Sequence, residues 1–364
     1  MFSNLFLKSF RILLLPFSIL YWAGIAIRNW LYDRGYSKSA TFGLPLICVG
    51  NLSVGGTGKS PMVEYLVRLL HEQFKTATLS RGYKRKTKGY ALADAQSTAL
   101  EIGDEPMQFH LKFPEVPVAV GEERIVAIPQ LLHDRPETQV IVLDDAFQHR
   151  AVKAGLNILL TDYSNLYTRD FYLPTGDLRD LKSGARRAQI IIVTKCPSDL
   201  DTKKRNAIIA ELKPLPEQEV FFTTIEYGQL YQIMGQKVPP PSLDTEVLLV
   251  TGIANPKPLE KYLLQYCKSY NLQSYADHHI FTIDDLKDIR RKFDDIDAPG
   301  KIILTTEKDA VRLSKFSNEI ADWPFFVIPV RHRFLFQQEA QFNARVINFI
   351  KEFTPQTSTY GKKK

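Results

Sequence analysis

Gly55, Gly56, Thr57, Gly58, Lys59 and Ser60 have the types and spacing suited to cradling phosphates. Backbone N–H groups in a glycine-rich turn converge on phosphate oxygens. A lysine there reaches the outer phosphates of a nucleotide such as ATP, and the next hydroxyl can ligate Mg2+. The run Ser53-Val54-Gly55-Gly56-Thr57-Gly58-Lys59-Ser60 fits G-x-x-x-x-G-K-[ST], except that Ser53 stands at the first glycine.

Four other groups carry chemistry. The apolar run 140–143 ends in Asp144 and Asp145, where a phosphate-loop enzyme keeps its acidic partner for Mg2+, and either aspartate suits that role. Gln148 and His149 follow, suited to orienting water or substrate or to supporting the groups that do. After another strand-like run, Ser80 to Lys88 gathers five positive charges around one aromatic. Arg81 and Tyr83 are its candidates for holding phosphates of nucleotide or acceptor. RNA binding competes for this run, but one aromatic and no recognised module argue against a nucleic-acid partner. Asp104 and Glu105, in Gly103-Asp104-Glu105-Pro106, could orient an acceptor hydroxyl and take its proton; the bland reading is a helix start. Asp277-His278-His279 reads as a metal-ligand pair, a base or a surface turn; as a base, His278, with His279 the alternative, is expected to pair with Asp104 across the two domains. Zinc is disfavoured because no third histidine lies at ligand spacing.

These groups need a frame. An apolar run, Pro45 to Val49, leads into the phosphate loop, and a helix-like Met62 to Leu70 follows. Strand-like runs at 76–80, 116–120, 140–145, 157–162 and 189–194 alternate with helical stretches, predicting an α/β fold with a parallel, doubly wound sheet. The phosphate loop then belongs at its carboxyl edge. A second α/β set is expected from strand-like runs at 246–250, 274–281, 301–305 and 325–330. The pattern breaks around Pro214 to Pro216 and again at Pro239-Pro240-Pro241, and the chain divides accordingly into a membrane-associated helix (1–35), a phosphate-loop core (36–215) and a linker with a short β-like stretch (216–245). A smaller α/β domain (246–350) follows, its last helix a candidate to return to the core, and then a basic tail (351–364).

With 364 residues the chain exceeds the size at which one core keeps growing, which favours two domains. The net charge of +7 suits an anionic partner without choosing among nucleic acid, membrane and phosphorylated substrate. Cys48, Cys196 and Cys267 are too dispersed for a disulfide framework. Residues 12–27 are uncharged, contain Tyr21 and Trp22, and are flanked by basic residues on both sides. As a helix they measure roughly 24 Å against a hydrocarbon core of roughly 30 Å, with Pro16 and Gly24 expected to interrupt them. The pattern fits a helix lying on an anionic membrane surface.

Taken together, the chain resembles the tetraacyldisaccharide 4′-kinases. The marks are Val49-Gly50-Asn51 with the loop to Ser60, Ser80-Arg81-Gly82-Tyr83, Gly103-Asp104-Glu105-Pro106 and Leu143 to His149. Thr251-Gly252-Ile253-Ala254-Asn255-Pro256, Asp277-His278-His279 with Phe281, and Thr306-Glu307-Lys308-Asp309-Ala310-Val311 follow in the second half. The resemblance implies transfer of the ATP γ-phosphate to the 4′-hydroxyl of an acylated glucosamine disaccharide 1-phosphate, at the cytoplasmic face of the inner membrane. It accounts for Ser53, since family members carry Ser or Thr there. Asp180 stands where the family pattern suggests a glutamate, which leaves a metal role for it in doubt. A monomer is expected. The expected site is Asp104, His278 and His279 for proton transfer, Ser53 to Ser60 for ATP, Ser60, Asp144 and Asp145 for Mg2+, and Arg81, Tyr83, Glu105, Gln148 and His149 for substrate.

Overall fold

The computed structural model describes residues 11–233, 245–253, 255–267 and 269–354. The chain runs through α1 (Leu15–Asp33), β1 (Leu46–Asn51), α2 (Lys59–Leu70), β2 (Thr76–Ser80), β3 (Ala91–Leu92), α3 (Ala99–Ile102) and α4 (Asp104–Lys112). Next come β4 (Val118–Val120), α5 (Arg124–Asp134), β5 (Val140–Asp144), β6 (Leu156–Asp162), β7 (Ile190–Thr194), α6 (Thr202–Leu212), β8 (Glu219–Tyr227) and β9 (Tyr231–Gln232). The remainder is β10 (Glu246–Thr251), α7 (Lys257–Leu263), β11 (Ser269–Ser274), α8 (Ile283–Asp294), β12 (Lys301–Thr306), α9 (Glu307–Leu313), β13 (Phe325–Ile328), β14 (Val330–Phe334) and α10 (Glu339–Lys351).

Among the described residues the strands form two sheets, one of nine in the order β14-β8-β7-β6-β1-β5-β2-β4-β3 and one of five, β11-β10-β12-β13-β9. From β8 to β4 the large sheet is parallel, with β14 and β3 antiparallel at its edges. Its strands are apolar on both faces, which is why they read as continuous hydrophobic runs. In β1, Leu46 and Cys48 pack into one core layer and Ile47 and Val49 into the opposite one. The second layer receives Met62, Val63, Leu66, Val67 and Leu70 of α2, and Phe342, Val346 and Ile350 of α10. The helix that follows the phosphate loop is therefore pinned by five apolar side chains. The small sheet is covered likewise, by α8 on one face and α7 on the other.

The structure corrects several boundaries. The stretch expected as a linker contains β8, whose Phe221 and Phe222 are fully buried in the large sheet. The prolines at 214 and 216 follow the end of α6, and Pro239-Pro240-Pro241 lies outside the described residues. The second unit ends before residue 350: the last helix, α10, packs on the core, as the sequence allowed, and β14 before it pairs in the large sheet, which was not expected. The strand expected at 274–281 is found at Ser269–Ser274. It is an edge strand with no fully buried residue, so it lacks the apolar alternation that marks a strand. Finally, Pro16 and Gly24 do not interrupt α1. Pro16 occupies the first turn, where its missing N–H has no helical partner to lose, and Gly24 lies within a continuous helix.

Candidate active site

Gly58 caps α2 in a left-handed conformation (φ +85°), and a Cβ there would come within 2.9 Å of His332. The loop is buttressed from several sides. His332, fully buried on β14, donates from Nε2 to the Gly58 carbonyl at 2.8 Å and accepts the Thr223 hydroxyl at Nδ1 at 2.9 Å. Burial above all holds its pKa down, to about 4, so the ring is neutral and can fill both roles. Thr194 Oγ1 donates to the Thr57 carbonyl at 2.9 Å, and Asn51 Nδ2 to Thr57 Oγ1 at 2.9 Å. Val54 N donates to the Asp177 carbonyl at 2.7 Å, and Ser53 bridges to Leu178. Val54, Gly55 and Gly56 are exposed at the tip.

Lys59 Nζ lies 3.4 Å from Asn51 Oδ1 and 3.7 Å from Asp145 Oδ1. Asp145 is also ion-paired with Arg179. Burial works to raise the Asp145 carboxyl, but Lys59 and Arg179 override it and hold it below its ordinary value. Its neighbour Asp144 is pushed up by burial, then by the charges of Glu105 and Asp145. Asp144 Oδ2 accepts from Ser80 Oγ at 3.3 Å, while the buried Oδ1 has no partner among the described residues. A buried, orphaned carboxylate oxygen facing other carboxylates is what a cation would relieve. Ser60 Oγ donates to Glu105 Oε1 at 2.6 Å, and Lys308 approaches the same oxygen at 3.3 Å.

Asp104 opens α4, and the second unit reaches it from two directions. His278 Nδ1 lies 3.0 Å from Asp104 Oδ2, and Arg312 donates to the same oxygen from Nη2 at 2.6 Å and Nε at 3.0 Å. Burial would raise the Asp104 carboxyl, but Arg312 and then His278 hold it below its ordinary value. The aspartate is therefore ionised and half-buried between the two sheets.

Other expected residues lie at different distances from this centre. His279 turns away, bonding Asp285 at 2.9 Å and stacking on Tyr275 at 4.6 Å. Tyr83 is 61% exposed, its ring centroid 5.9 Å from that of His278, and Arg81 is exposed. Gln148 and His149 face inward: Gln148 Nε2 donates to the Asn51 carbonyl at 2.6 Å, and His149 Nε2 accepts from the Arg124 backbone at 3.3 Å. Burial and then the Arg124 charge lower the His149 pKa to about 4. Asp180 is buried against Asn29 at 2.7 Å and Arg187 at 2.8 Å. Sequence reasoning did not single out Asn51, Arg124, Arg179, His332, Lys308 or Arg312 as site residues.

A phosphate loop at the carboxyl edge of a parallel sheet, with carboxylates behind it and an aspartate–histidine contact from a second unit, defines a phosphate-loop phosphotransferase. A family model described as tetraacyldisaccharide-1-P 4′-kinase matches residues 10–351. The chain belongs to this family. A tetraacyldisaccharide 4′-kinase of Flavobacterium johnsoniae is 47% identical over 345 residues, covering 94% of this chain and 98% of that relative. One from Bacteroides thetaiotaomicron is 44% identical over 361 residues, covering 95% and 94%. Among solved structures, LpxK from Aquifex aeolicus in complex with ATP matches with a TM-score of 0.74 at 29% identity, covering 94% of this chain and 99% of that one.

Proposed function

We propose that the chain transfers the γ-phosphate of ATP to the 4′-hydroxyl of a tetraacylated glucosamine disaccharide 1-phosphate. Family membership over nearly the whole chain supports the reaction, and the phosphate loop supports the donor. Backbone N–H groups of residues 55–60 receive the phosphates, and Lys59 leaves Asn51 and Asp145 for the outer phosphates. Ser60 with Asp144 or Asp145 would hold Mg2+, a fit supported by the orphaned Asp144 Oδ1. When bound, the ion neutralises charge on the β- and γ-phosphates. Arg81, Tyr83 and Glu105 line the approach of the acceptor.

The observation that carries the chemistry is the 3.0 Å contact of Asp104 with His278 across the two units. Asp104 accepts the proton of the 4′-hydroxyl as its oxygen bonds to the γ-phosphorus. The bond from that phosphorus to the β–γ bridging oxygen breaks, and ADP departs. His278 orients the carboxylate, and His279 serves the fold of its loop. Removing a general base typically costs ~10² to 10⁴ in rate, so Asp104→Ala lowers kcat by that order with the KM for ATP within a few-fold. His278→Ala costs less, and the double variant is no slower than Asp104→Ala. Additive losses would contradict the pair, and near-normal kcat in Asp104→Ala would remove the base assignment.

The protein works at the cytoplasmic face of the inner membrane, where ATP is available, as a monomer seated through α1. The exposed apolar face of that helix and the net charge of +7 support contact with an anionic surface.

A further inference from the structure

Two sequence marks have no part in the reaction course above, Thr251-Gly252 and Thr306 to Val311, and the fold brings them together on one side chain. Asp309 on α9 is completely buried. Its Oδ2 accepts from Gly252 N at 3.0 Å, Thr251 Oγ1 at 3.3 Å and Thr306 Oγ1 at 2.7 Å. Its Oδ1 accepts from Arg312 Nη1 at 3.2 Å. A buried carboxylate with four donors is a fixed point: losing a neutral donor costs a buried hydrogen bond, and losing Arg312 leaves the charge unpaired.

From this point two arms reach the Asp104–His278 contact. Arg312 is one: its Nη1 is spent on Asp309, which aims Nη2 and Nε at Asp104 Oδ2. The Gly252 loop is the other, since the Gly252 carbonyl accepts from His278 N and the Thr251 carbonyl from Tyr275 N. A Cβ at Gly252 would lie 3.0 Å from the Ala276 carbonyl and 3.2 Å from Asp309 Oδ1, so a larger residue would have to push this approach apart. Lys308, one helical turn from Arg312, meets Glu105 in parallel. Among the described residues, all the hydrogen bonds to the Asp104 carboxylate fall on Oδ2.

We infer that Arg312, anchored by Asp309, is a positioning residue that fixes the Asp104 carboxylate so that Oδ1 is presented to the acceptor hydroxyl. This rests on the reading of Asp104 as the base. A rigid fork held at one end orients a carboxylate as a point charge cannot. Arg312 touches no nucleotide-binding group, so its loss is felt in turnover and not in ATP binding.

The test is steady-state kinetics of Arg312→Gln, Arg312→Lys and Asp309→Asn, alone and in Asp104→Ala, with thermal melting as the folding control. Arg312→Gln should lower kcat about 10- to 100-fold with the KM for ATP within about three-fold. Arg312→Lys, which keeps the charge but not the planar fork, should recover part of the loss, and Asp309→Asn should resemble Arg312→Gln. In Asp104→Ala, Arg312→Gln should cost nothing further. Normal kcat in Arg312→Gln, or an undiminished further loss in Asp104→Ala, would overturn the inference. If Asp104→Ala itself has near-normal kcat, the base reading fails first, so the two failures are distinguishable.

Discussion

Lys59, with Asn51 at 3.4 Å and Asp145 at 3.7 Å, is a charge on a loop otherwise built of backbone donors. Lys59→Ala therefore removes ATP turnover without unfolding the chain, which parallel turnover and melting measurements would check. If Asp145 helps hold Mg2+, as proposed, Asp145→Asn raises the Mg2+ concentration needed for half-maximal turnover; an unchanged Mg2+ dependence would leave Asp144 as the proposed ligand. Lys59 and Ser60 were legible in the sequence because a phosphate loop is local, its chemistry set by neighbours in the chain. Asp104 and His278, 174 positions apart, were expected to meet across the two domains, but nothing local in the chain shows that contact. Which histidine faces the cleft depends on Asp285 and Tyr275, which hold His279 back. His332 was invisible. It is one position in an edge strand, and only the pairing of β14 with β8 places it behind Gly58.

At the scale of elements, α1 docks along its length through polar groups and leaves its apolar face outward. Ser18 bonds the Tyr172 carbonyl at 3.0 Å and Thr175 at 2.7 Å, Arg28 the Gln148 carbonyl at 2.8 Å, and Asn29 buries against Asp180. Phe17, Leu20 and Trp22 are 61%, 71% and 45% exposed. A helix of 19 residues tied down along one face leaves its apolar face free for the lengthwise membrane contact proposed above. Phe17→Glu with Leu20→Glu should preserve the fold while releasing the protein from acidic liposomes in high salt, where electrostatic attachment is screened. Undiminished binding would put the anchor elsewhere. The hydrophobic pattern showed the helix, but not that Ser18 and Asn29 are its docking residues.

Three elements meet at a second buried charge cluster, where Lys112 of α4 bridges Glu64 of α2 and Glu307 of α9. Burial and then the Glu307 charge push the Glu64 carboxyl up from 4.5 to about 7, against Lys112 and Gln108. The folded state then holds a proton that the unfolded chain releases. This group favours folding below its ordinary pKa, and that contribution is lost as the pH rises through about 7. Glu64→Gln should therefore raise stability at pH 8 by ~1–2 kcal/mol relative to its effect at pH 5. Denaturant melts at the two pH values would show this, and an equal effect at both would contradict it.

At the scale of the whole molecule, the chain leaves the large sheet after β8, builds the small sheet and returns as β14, crossing at Pro329 between β13 and β14. The parallel order was legible because each β–α step is local. Of the return, only the last helix was expected back on the core; β14 was not, since it pairs with β8 across about 100 residues of intervening chain and the prolines suggested a break elsewhere. This path places the second unit's His278, Lys308 and Arg312 against the acids that open α4. The central claim is a phosphoryl transfer to lipid assembled between the two units. Its most direct test is incubation of the protein with ATP, Mg2+ and a detergent-dispersed tetraacyl disaccharide 1-phosphate, followed by mass spectrometry of the lipid. One added phosphate, located at the 4′ position, is expected, and none with Lys59→Ala. ATP consumption indifferent to the disaccharide, with the lipid mass unchanged, would contradict it.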